Sequence, residues 1–323
     1  MSIKNQVLEI LENNQGNNIS GEDIAKALNV TRNAVWKAVN ALKHDGYEIA
    51  STSNGYMLSC ETDVFSANRI SRLSKNDISV VMLEETTSSN DIAKELALQG
   101  APEGTLVVAK RQSAGRGRLG RSFISNDENG LYMSLILRPE IPIQESVNIT
   151  VMGAVAVLEA IESTSGVKCS IKWVNDIYID NKKVCGILSE ASFNFESART
   201  DYVIIGMGVN IAPPKNGFDS EIKDIATSIY PSKIPNGYKS LLCAEIVDRF
   251  LHYYKNLKDK KYIDVYRSKS NLIGKEVSVY RGNDIIDGIV LDIDDSANLI
   301  LKSDGGVFKF NSGEARARRK HVN

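Results

Sequence analysis

The chain has 323 residues, 42% of them hydrophobic and 24% charged, which is typical of a globular protein with two or three domains. Its 39 lysines and arginines nearly balance 40 aspartates and glutamates, so any contact with nucleic acid must come from a local patch. The sequence has four scattered cysteines and only three histidines. It has no apolar run near ~18 residues and no signal-peptide core. These features predict a soluble cytoplasmic protein without membrane association.

Residues 1–62 are predicted to form a winged helix-turn-helix. An apolar stripe at 7–11 indicates a first helix, Ser20 opens a second in a capping-box-like sequence, and Thr31 caps a third that ends at Gly46. Two strand-like runs, YEIAS and YMLS, then meet at an Asn-Gly turn signal, which is typical of a hairpin.

The third predicted helix is the candidate recognition helix for DNA. It contains several basic residues and no acidic residue before Asp45, so its N-terminal end is suited to the major groove of DNA. The candidate DNA-binding residues are Thr31, Arg32, Asn33, Trp36 and Lys37. An alternative for Trp36 is packing inside the small domain.

Residues 63–270 mix strands and helices without strict alternation, which predicts an α+β domain around a mixed sheet rather than a Rossmann domain. Helices are predicted at SNDIAKELALQG, 149–163 and 241–258, and 213–224 is predicted to be a loop. The predicted strands are ISVVMLE, GTLVVAKRQ, LYMSLILR, CSIKWVND, KVCGILSEAS and DYVIIGMGVNI. Residues 271–323 lose the helical pattern, and four strand-like runs there, KEVSVYR, IIDGIVLDID, NLILKS and GVFKFN, predict a small β-barrel or sandwich.

The strongest chemical signal is the segment GTLVVAKRQSAGRGRLGRSF. A predicted strand leads into a glycine-rich loop with Arg116, Arg118 and Arg121, whose guanidinium groups suit a carboxylate or phosphate. The spacing is neither that of a P-loop nor that of a Rossmann fingerprint. A solvated basic loop without a ligand remains an alternative.

Three weaker signals lie elsewhere in the central region. In IKWVND, Lys172, Asn175 and Asp176 suit an anion, a nucleotide and Mg²⁺, although Asn-Asp also simply marks turns. In KVCGILSE, Lys183 suits the neutralisation of charge during attack on a phosphate, with Gly186 leaving space, although a lysine there can also snorkel to solvent. In ETTSSND, hydroxyls suit a polar ligand head or a helix cap.

The chain resembles the bifunctional biotin protein ligase/biotin operon repressor family in four motifs that follow a winged helix. These are Q-x-x-G-R-G-R-x-G-R, K-W-x-N-D, K-x-x-G and the hydroxyl-Asn segment. The resemblance covers essentially the whole chain. Val174 departs from the proline usual in K-W-P-N-D, and Ser89 stands where threonine is common. The resemblance implies a class II synthetase-like central domain and a C-terminal SH3-like barrel.

The resemblance also implies the reaction. Biotin and ATP, the latter with Mg²⁺, would form biotinyl-5′-AMP and pyrophosphate, and a lysine of the biotin carboxyl carrier protein would then take the biotin, without a tightly bound prosthetic group. Lys183, Arg116 and Arg118 are the implied catalytic residues. The implied biotin-binding residues are Ser88, Ser89, Asn90, Gln112, Arg116, Gly117, Arg118, Lys183 and Gly186. The implied nucleotide-binding residues are Arg116, Arg118, Arg121, Lys172, Asn175, Asp176, Asn210 and Arg318, with Asp176 also the candidate Mg²⁺ ligand.

The family further implies an operator-binding homodimer when biotinyl-5′-AMP is bound. Three alternatives remain at this point: a ligase whose N-terminal domain does not regulate, a non-enzymatic ligand-sensing transcription factor, and a lipoate–protein ligase. The G-R-G-R and K-W-x-N-D segments favour biotin over lipoate.

Overall fold

The computed structural model describes residues 2–44, 47–60, 65–142, 145–194, 199–282 and 284–317. Two compact units are distinguished by their internal contacts. One comprises Met1–Leu73 with Pro235–Leu241, and the other comprises Ser74–Ile234 with Leu242–Asn323.

The first unit contains the predicted winged helix-turn-helix. Ser20 Oγ accepts the Asp23 N–H at 3.0 Å and Thr31 Oγ1 accepts the Ala34 N–H at 3.2 Å, so both predicted caps are confirmed. Asn29 adopts a left-handed conformation, with φ 51°, that reverses the chain between the second and third helices. The elements are α1 Ile3–Asn13, α2 Gly21–Leu28, α3 Arg32–His44, β1 Ile49–Thr52 and β2 Gly55–Leu58. The predicted end of α3 at Gly46 lies outside the described residues.

A short helix that the sequence analysis missed, α4 Ala67–Leu73, is tied to α1 through one buried acid. Glu12 is only 3% exposed, and its carboxylate accepts hydrogen bonds from Ser66 Oγ at 2.7 Å and Asn68 Nδ2 at 2.8 Å. Arg72 Nη1 donates to the Glu12 carbonyl at 2.6 Å. Burial raises the pKa of Glu12, although these hydrogen bonds and the nearby arginines oppose the shift.

The second unit is built on a mixed sheet, as predicted, and this sheet has seven strands rather than the six predicted. Its order is β3-β4-β5-β9-β8-β7-β6, with β3 and β4 parallel and the other neighbours antiparallel. The strands are β3 Ser79–Thr86, β4 Thr105–Gln112, β5 Gly130–Leu137, β6 Ser170–Lys172, β7 Asp176–Ile179, β8 Lys182–Asn194 and β9 Arg199–Asn210. The helices of this part are α5 Ser89–Leu98, α6 Val147–Ser165, α7 Tyr238–Lys255 and α8 Lys261–Ser268, with the first four residues of α7 belonging to the first unit.

Two predictions for this sheet region were wrong in detail, and one helix was not predicted. CSIKWVND is not one strand, because the chain turns at 173–175 between β6 and β7. This turn is buried, since Trp173 Nε1 donates to the Ala297 carbonyl at 3.0 Å and Tyr266 Oη donates to the Val174 carbonyl at 2.9 Å. The helix predicted at 241–258 spans 238–255 instead, and α8 was not predicted because its eight residues contain only a short apolar pattern.

Helix α6 is the one described helix long and apolar enough to cross a membrane by length and composition, although 67% of the window that qualifies is buried inside the protein. Core helices meet the same criterion. Ile149, Met152 and Val155 are fully buried, which matches a helix packed within the protein on most sides.

The C-terminal strands form a five-stranded antiparallel sheet of order β13-β12-β11-β10-β14. The four predicted strands are confirmed, and a fifth strand that was not predicted, β14, pairs with β10. The strands are β10 Glu276–Arg281, β11 Asp284–Ile293, β12 Leu299–Ser303, β13 Gly306–Phe310 and β14 Glu314–Ala317.

Candidate active site

A cavity that opens to solvent lies beside the start of α5, the end of β4, and strands β8 and β9. All nine residues that the sequence analysis assigned to biotin line it. These are Ser88, Ser89, Asn90, Gln112, Arg116, Gly117, Arg118, Lys183 and Gly186. They come from three separate segments of the chain, 88–90, 112–118 and 183–186, which the sheet order brings together.

The polar end of the cavity is formed by buried side chains that the protein already orients. Gln112 Oε1 accepts the Ser89 N–H at 2.7 Å, and Gln112 Nε2 donates to Ser125 Oγ at 3.1 Å. Asn90 Nδ2 donates to Glu190 Oε2 at 2.7 Å. Because these amides are held at both ends, their donors and acceptors point in fixed directions.

Glycines on the central strands leave the room that these side chains need. A Cβ on Gly206 would lie 2.1 Å from Asn90 Oδ1, and a Cβ on Gly208 would lie 2.6 Å from the Phe123 ring. A Cβ on Gly186 would lie 2.9 Å from Lys183 Nζ, so the role predicted for Gly186 stays a prediction that this close approach is compatible with. The GMGVN segment of β9 therefore lets side chains from other elements approach the backbone closely.

The three arginines of the glycine-rich loop have different surroundings. Arg116 Nη2 forms ion pairs with Asp91 and, at 3.1 Å, with Glu190. Arg118 Nη1 donates to Asn175 Oδ1 at 3.2 Å, and burial lowers the pKa of Arg118, an effect that Asp176 opposes. Arg121 does not line the cavity; its guanidinium pairs with Glu314 on β14.

Lys183 faces the cavity from β8 and pairs with an acid on the neighbouring strand. Its Nζ lies 2.7 Å from Asp176 Oδ1 and 6.0 Å from the centre of the Phe123 ring. Both side chains are partly exposed, at 32% for Lys183 and 22% for Asp176. A cation held here can approach a substrate anion without being fully withdrawn from water.

The predicted nucleotide residues are only partly brought together. Besides Arg116 and Arg118, Asn175 lines the cavity, and its Nδ2 donates to the Ile187 carbonyl at 2.8 Å. Lys172 pairs with Asp176 in the β6–β7 register outside the cavity lining, and burial lowers its pKa. Asn210 is also outside the lining, and its Nδ2 donates to the Thr227 carbonyl at 3.1 Å. Arg318 lies outside the described residues.

Three family models match the chain in the predicted order: an HTH domain at residues 4–57, the biotin/lipoate A/B protein ligase family at 82–210, and the biotin protein ligase C-terminal domain at 272–315. The chain is also 35% identical over 320 residues to the bifunctional ligase/repressor BirA of Bacillus subtilis (strain 168), across 97% of this chain and 98% of that protein. The chain belongs to the bifunctional biotin ligase/repressor family.

Two further relatives extend this result. The protein of the same name from Escherichia coli (strain K12) is 25% identical over 304 residues, covering 93% of this ligase and 92% of that protein. A solved structure, biotin protein ligase from Aquifex aeolicus in complex with biotin and ATP, matches with a TM-score of 0.62 and 30% identity over 75% of this ligase and 99% of that chain. Family membership confirms the predicted enzyme class and the predicted repressor domain.

The sequence analysis missed several residues of the ligase site. Phe123, Leu188 and Met207 line the cavity, Ser134 contacts two of its residues, and Glu190 pairs with both Asn90 and Arg116. Alternation along β8 was an available signal for Glu190, because residues 186, 188 and 190 share one face of a strand. Nothing in the sequence marks Ser134, which lies inside the apolar run LYMSLIL.

On the repressor's DNA-binding domain, all five predicted contact residues are exposed. Thr31, Arg32 and Asn33 lie at the start of α3 and Lys37 follows one turn later. Trp36 is 54% exposed, whereas its neighbour Val35 is fully buried. The alternative in which Trp36 packs inside the domain is therefore wrong.

Proposed function

We propose that the cavity of this ligase binds biotin with its ureido head near Ser89 and Gln112 and its carboxylate near Arg118 and Lys183. The observation that supports the proposal is the single cavity shared by all nine expected residues. A buried, fully oriented polar end suits a small neutral head, and cationic groups at the other end suit an anion.

In the first half-reaction, a biotin carboxylate oxygen attacks the α-phosphorus of ATP, and pyrophosphate leaves with the electron pair of the broken P–O bond. Negative charge accumulates on the phosphorus oxygens, where Lys183, Arg116 and Arg118 supply cations. In the second half-reaction, an amine of a carrier-protein lysine attacks the acyl carbon of biotinyl-5′-AMP, and AMP leaves. The acceptor is the biotin carboxyl carrier protein of acetyl-CoA carboxylase or a similar biotin-dependent enzyme, and the reaction takes place in the cytoplasm.

Asp176 is our candidate for holding Mg²⁺ that arrives with ATP. The described residues contain no group of three histidines, cysteines, aspartates or glutamates able to hold a metal ion by themselves. Mg²⁺ commonly needs only one or two carboxylates when phosphates supply its other ligands, so a single Asp176 beside the cavity fits that chemistry. Bound there, the ion would neutralise phosphate charge. Arg121, Lys172, Asn210 and Arg318 are proposed as outer nucleotide contacts.

Pyrophosphate exchange tests the enzymatic half of this proposal. The protein is mixed with ATP and labelled pyrophosphate, and label entering ATP is measured with biotin or with lipoate as the acid. Biotin-dependent exchange at least about tenfold above that with lipoate is the expected result. Equal exchange, or exchange with lipoate alone, would assign the cavity to a different acid.

The second function is repression, with residues 1–62 binding DNA, 63–270 catalysing and 271–323 assisting the central domain. We propose that biotinyl-5′-AMP promotes a homodimer that binds a palindromic operator. One DNA-binding domain presents few basic side chains. Pairing two such domains supplies the missing affinity for DNA through effective concentration. Operator binding is measured against protein concentration at fixed salt, because phosphate contacts are screened by salt. Tighter and steeper operator binding is expected with biotin plus ATP. Identical binding curves with and without them would contradict control of DNA binding by biotinyl-5′-AMP.

A further inference from the structure

Four polar groups form a chain of hydrogen bonds that begins at Glu190, outside the cavity lining, and ends at Ser89, which lines the cavity. Glu190 Oε2 accepts from Asn90 Nδ2 at 2.7 Å, and the Asn90 Oδ1 lies 2.6 Å from Ser134 Oγ. Ser134 Oγ in turn lies 2.7 Å from Ser89 Oγ. Asn90, Ser134 and Ser89 are at most 5% exposed, so water offers them little alternative bonding.

The carboxylate end of this chain fixes the direction of every hydrogen bond in it. Glu190, paired with Arg116, is an acceptor only, so Asn90 must present its NH₂ group to Glu190 and its oxygen to Ser134. Ser134 has one hydroxyl proton but two oxygen neighbours. Because Asn90 Oδ1 can only accept, the Ser134 proton goes to Asn90.

The consequence falls on Ser89, which lines the cavity. With the Ser134 proton committed to Asn90, the contact between the two serines requires Ser89 to donate its own proton to Ser134. The Ser89 hydroxyl then has only lone pairs left for a ligand. The backbone of Ser89 is also committed, since its N–H bonds Gln112 Oε1.

We propose that Glu190 and Ser134 are positioning residues that make Ser89 a hydrogen-bond acceptor, so that the cavity selects a ligand head with an N–H group at this point. The proposal deepens the proposed function, because the ureido ring of biotin carries two N–H groups. A site built to bond an N–H strongly rejects an analogue that has an acceptor in its place. Neither positioning residue needs to touch the ligand.

The experiment compares biotin with its two cyclic carbamate analogues, in which an oxygen replaces one ureido N–H or the other. Dissociation constants are measured by calorimetry for the wild type, Ser134→Ala and Glu190→Gln. The matched control is Ser189→Ala, since the Ser189 hydroxyl pairs with Thr150 at 2.9 Å and is not among the cavity-lining residues.

For the wild type, one carbamate isomer should bind far more weakly than biotin because its oxygen faces the lone pairs of Ser89. In Ser134→Ala, Ser89 can turn and donate its proton. Biotin should then bind about three- to tenfold more weakly, while that carbamate isomer is unchanged or tighter. Glu190→Gln should change the ratio of the two dissociation constants, that of biotin to that of this carbamate, in the same direction but less. The reason is that a glutamine can accept a hydrogen bond from Asn90 or donate one to it. Ser189→Ala should match the wild type.

Equal weakening of biotin and both carbamates in Ser134→Ala and Glu190→Gln would overturn the proposal and leave these residues with a merely structural role. The proposal would also be overturned if the ratio of the dissociation constants of biotin and the carbamate changed in neither variant. Glu190 is partly exposed, so its variant remains informative if Ser134→Ala fails to fold. Failure of the proposed function would look different, because the wild type itself would then not bind biotin.

Discussion

Lys183 Nζ and Asp176 Oδ1 lie 2.7 Å apart, on adjacent strands β8 and β7, where the cavity meets the K-W-x-N-D turn. The pair joins two motifs that are separate in the sequence. Lys183 lines the cavity, whereas Asp176 lies outside its lining. The ion pair therefore ties the cavity wall to the turn between β6 and β7.

Lys183→Ala should slow adenylate formation by about 10²–10³ because the lost cation acts mainly on charge that develops in the transition state. Biotin should still bind, since the polar end of the cavity is intact. Pyrophosphate exchange and calorimetry measure the two properties. The control is Lys182→Ala, whose exposed Nζ donates to the Lys223 carbonyl. Adenylate formation within about threefold of the wild type would contradict the role given to Lys183.

The glycine-rich loop should be cut less by trypsin when biotin and ATP are present. Without ligand, the Arg116 guanidinium pairs with two partly exposed carboxylates, and Leu119 at the loop tip is 75% exposed. A bound anion replaces those pairs and orders the three-glycine segment. Mass spectrometry of early fragments locates the cuts between Arg116 and Arg121. Equal cleavage with and without ligands would argue against closure of this loop.

Gly206→Ala should weaken biotin binding by about 5- to 100-fold, because the new Cβ would displace the Asn90 amide from 2.1 Å. Calorimetry measures this effect. Gly305→Ala is the control, since its Cβ would meet nothing closer than 3.5 Å. Unchanged biotin affinity in Gly206→Ala would show that Asn90 is dispensable for the shape of the cavity.

Trp36→Ala should weaken operator binding while leaving thermal stability and ligase activity near the wild type, because Trp36 is exposed. Its neighbour provides the opposite case. Val35→Ala should lower stability by about 1–3 kcal/mol through loss of packing in a fully buried position. DNA binding and thermal unfolding are measured for both variants. Loss of stability in Trp36→Ala comparable to that in Val35→Ala would mean that the indole is structural.

Glu12→Gln should stabilise the first unit at pH 7. Burial raises the pKa of Glu12 above its ordinary value of 4.5, so the folded unit holds this proton more tightly than the unfolded chain. The ionised form therefore lowers stability above the folded-state pKa, and this loss disappears as the pH falls towards 4.5. Glutamine avoids this loss, because its oxygen can accept from Asn68 Nδ2 while its NH₂ group donates to Ser66 Oγ.

Thermal unfolding from pH 7 to pH 4.5 measures the effect. The expected advantage of Glu12→Gln is about 2–5 °C at pH 7 and close to zero at pH 4.5. Glu9→Gln, on the same helix outside this cluster, is the control. An advantage that grows as the pH falls would have the wrong sign and would contradict the raised pKa.

The sequence by itself determined the order of the domains, most strands and nine of the residues that line the cavity. The caps at Ser20 and Thr31 act over three residues, and the glycine and arginine spacing in the loop is equally local, so both are visible in a short stretch of chain. Helices α4 and α8 escaped prediction because seven or eight residues provide too little periodic pattern.

Only the tertiary structure decided which polar groups meet. Ser134 lies 44 residues from Asn90, Glu190 lies 100 residues from it, and Arg121 pairs with Glu314 across 193 residues. Such partners are brought together by sheet order and packing, which no local pattern specifies. The same reason applies to Trp36: helical periodicity indicates a face, but only the packed domain decides whether that face is covered.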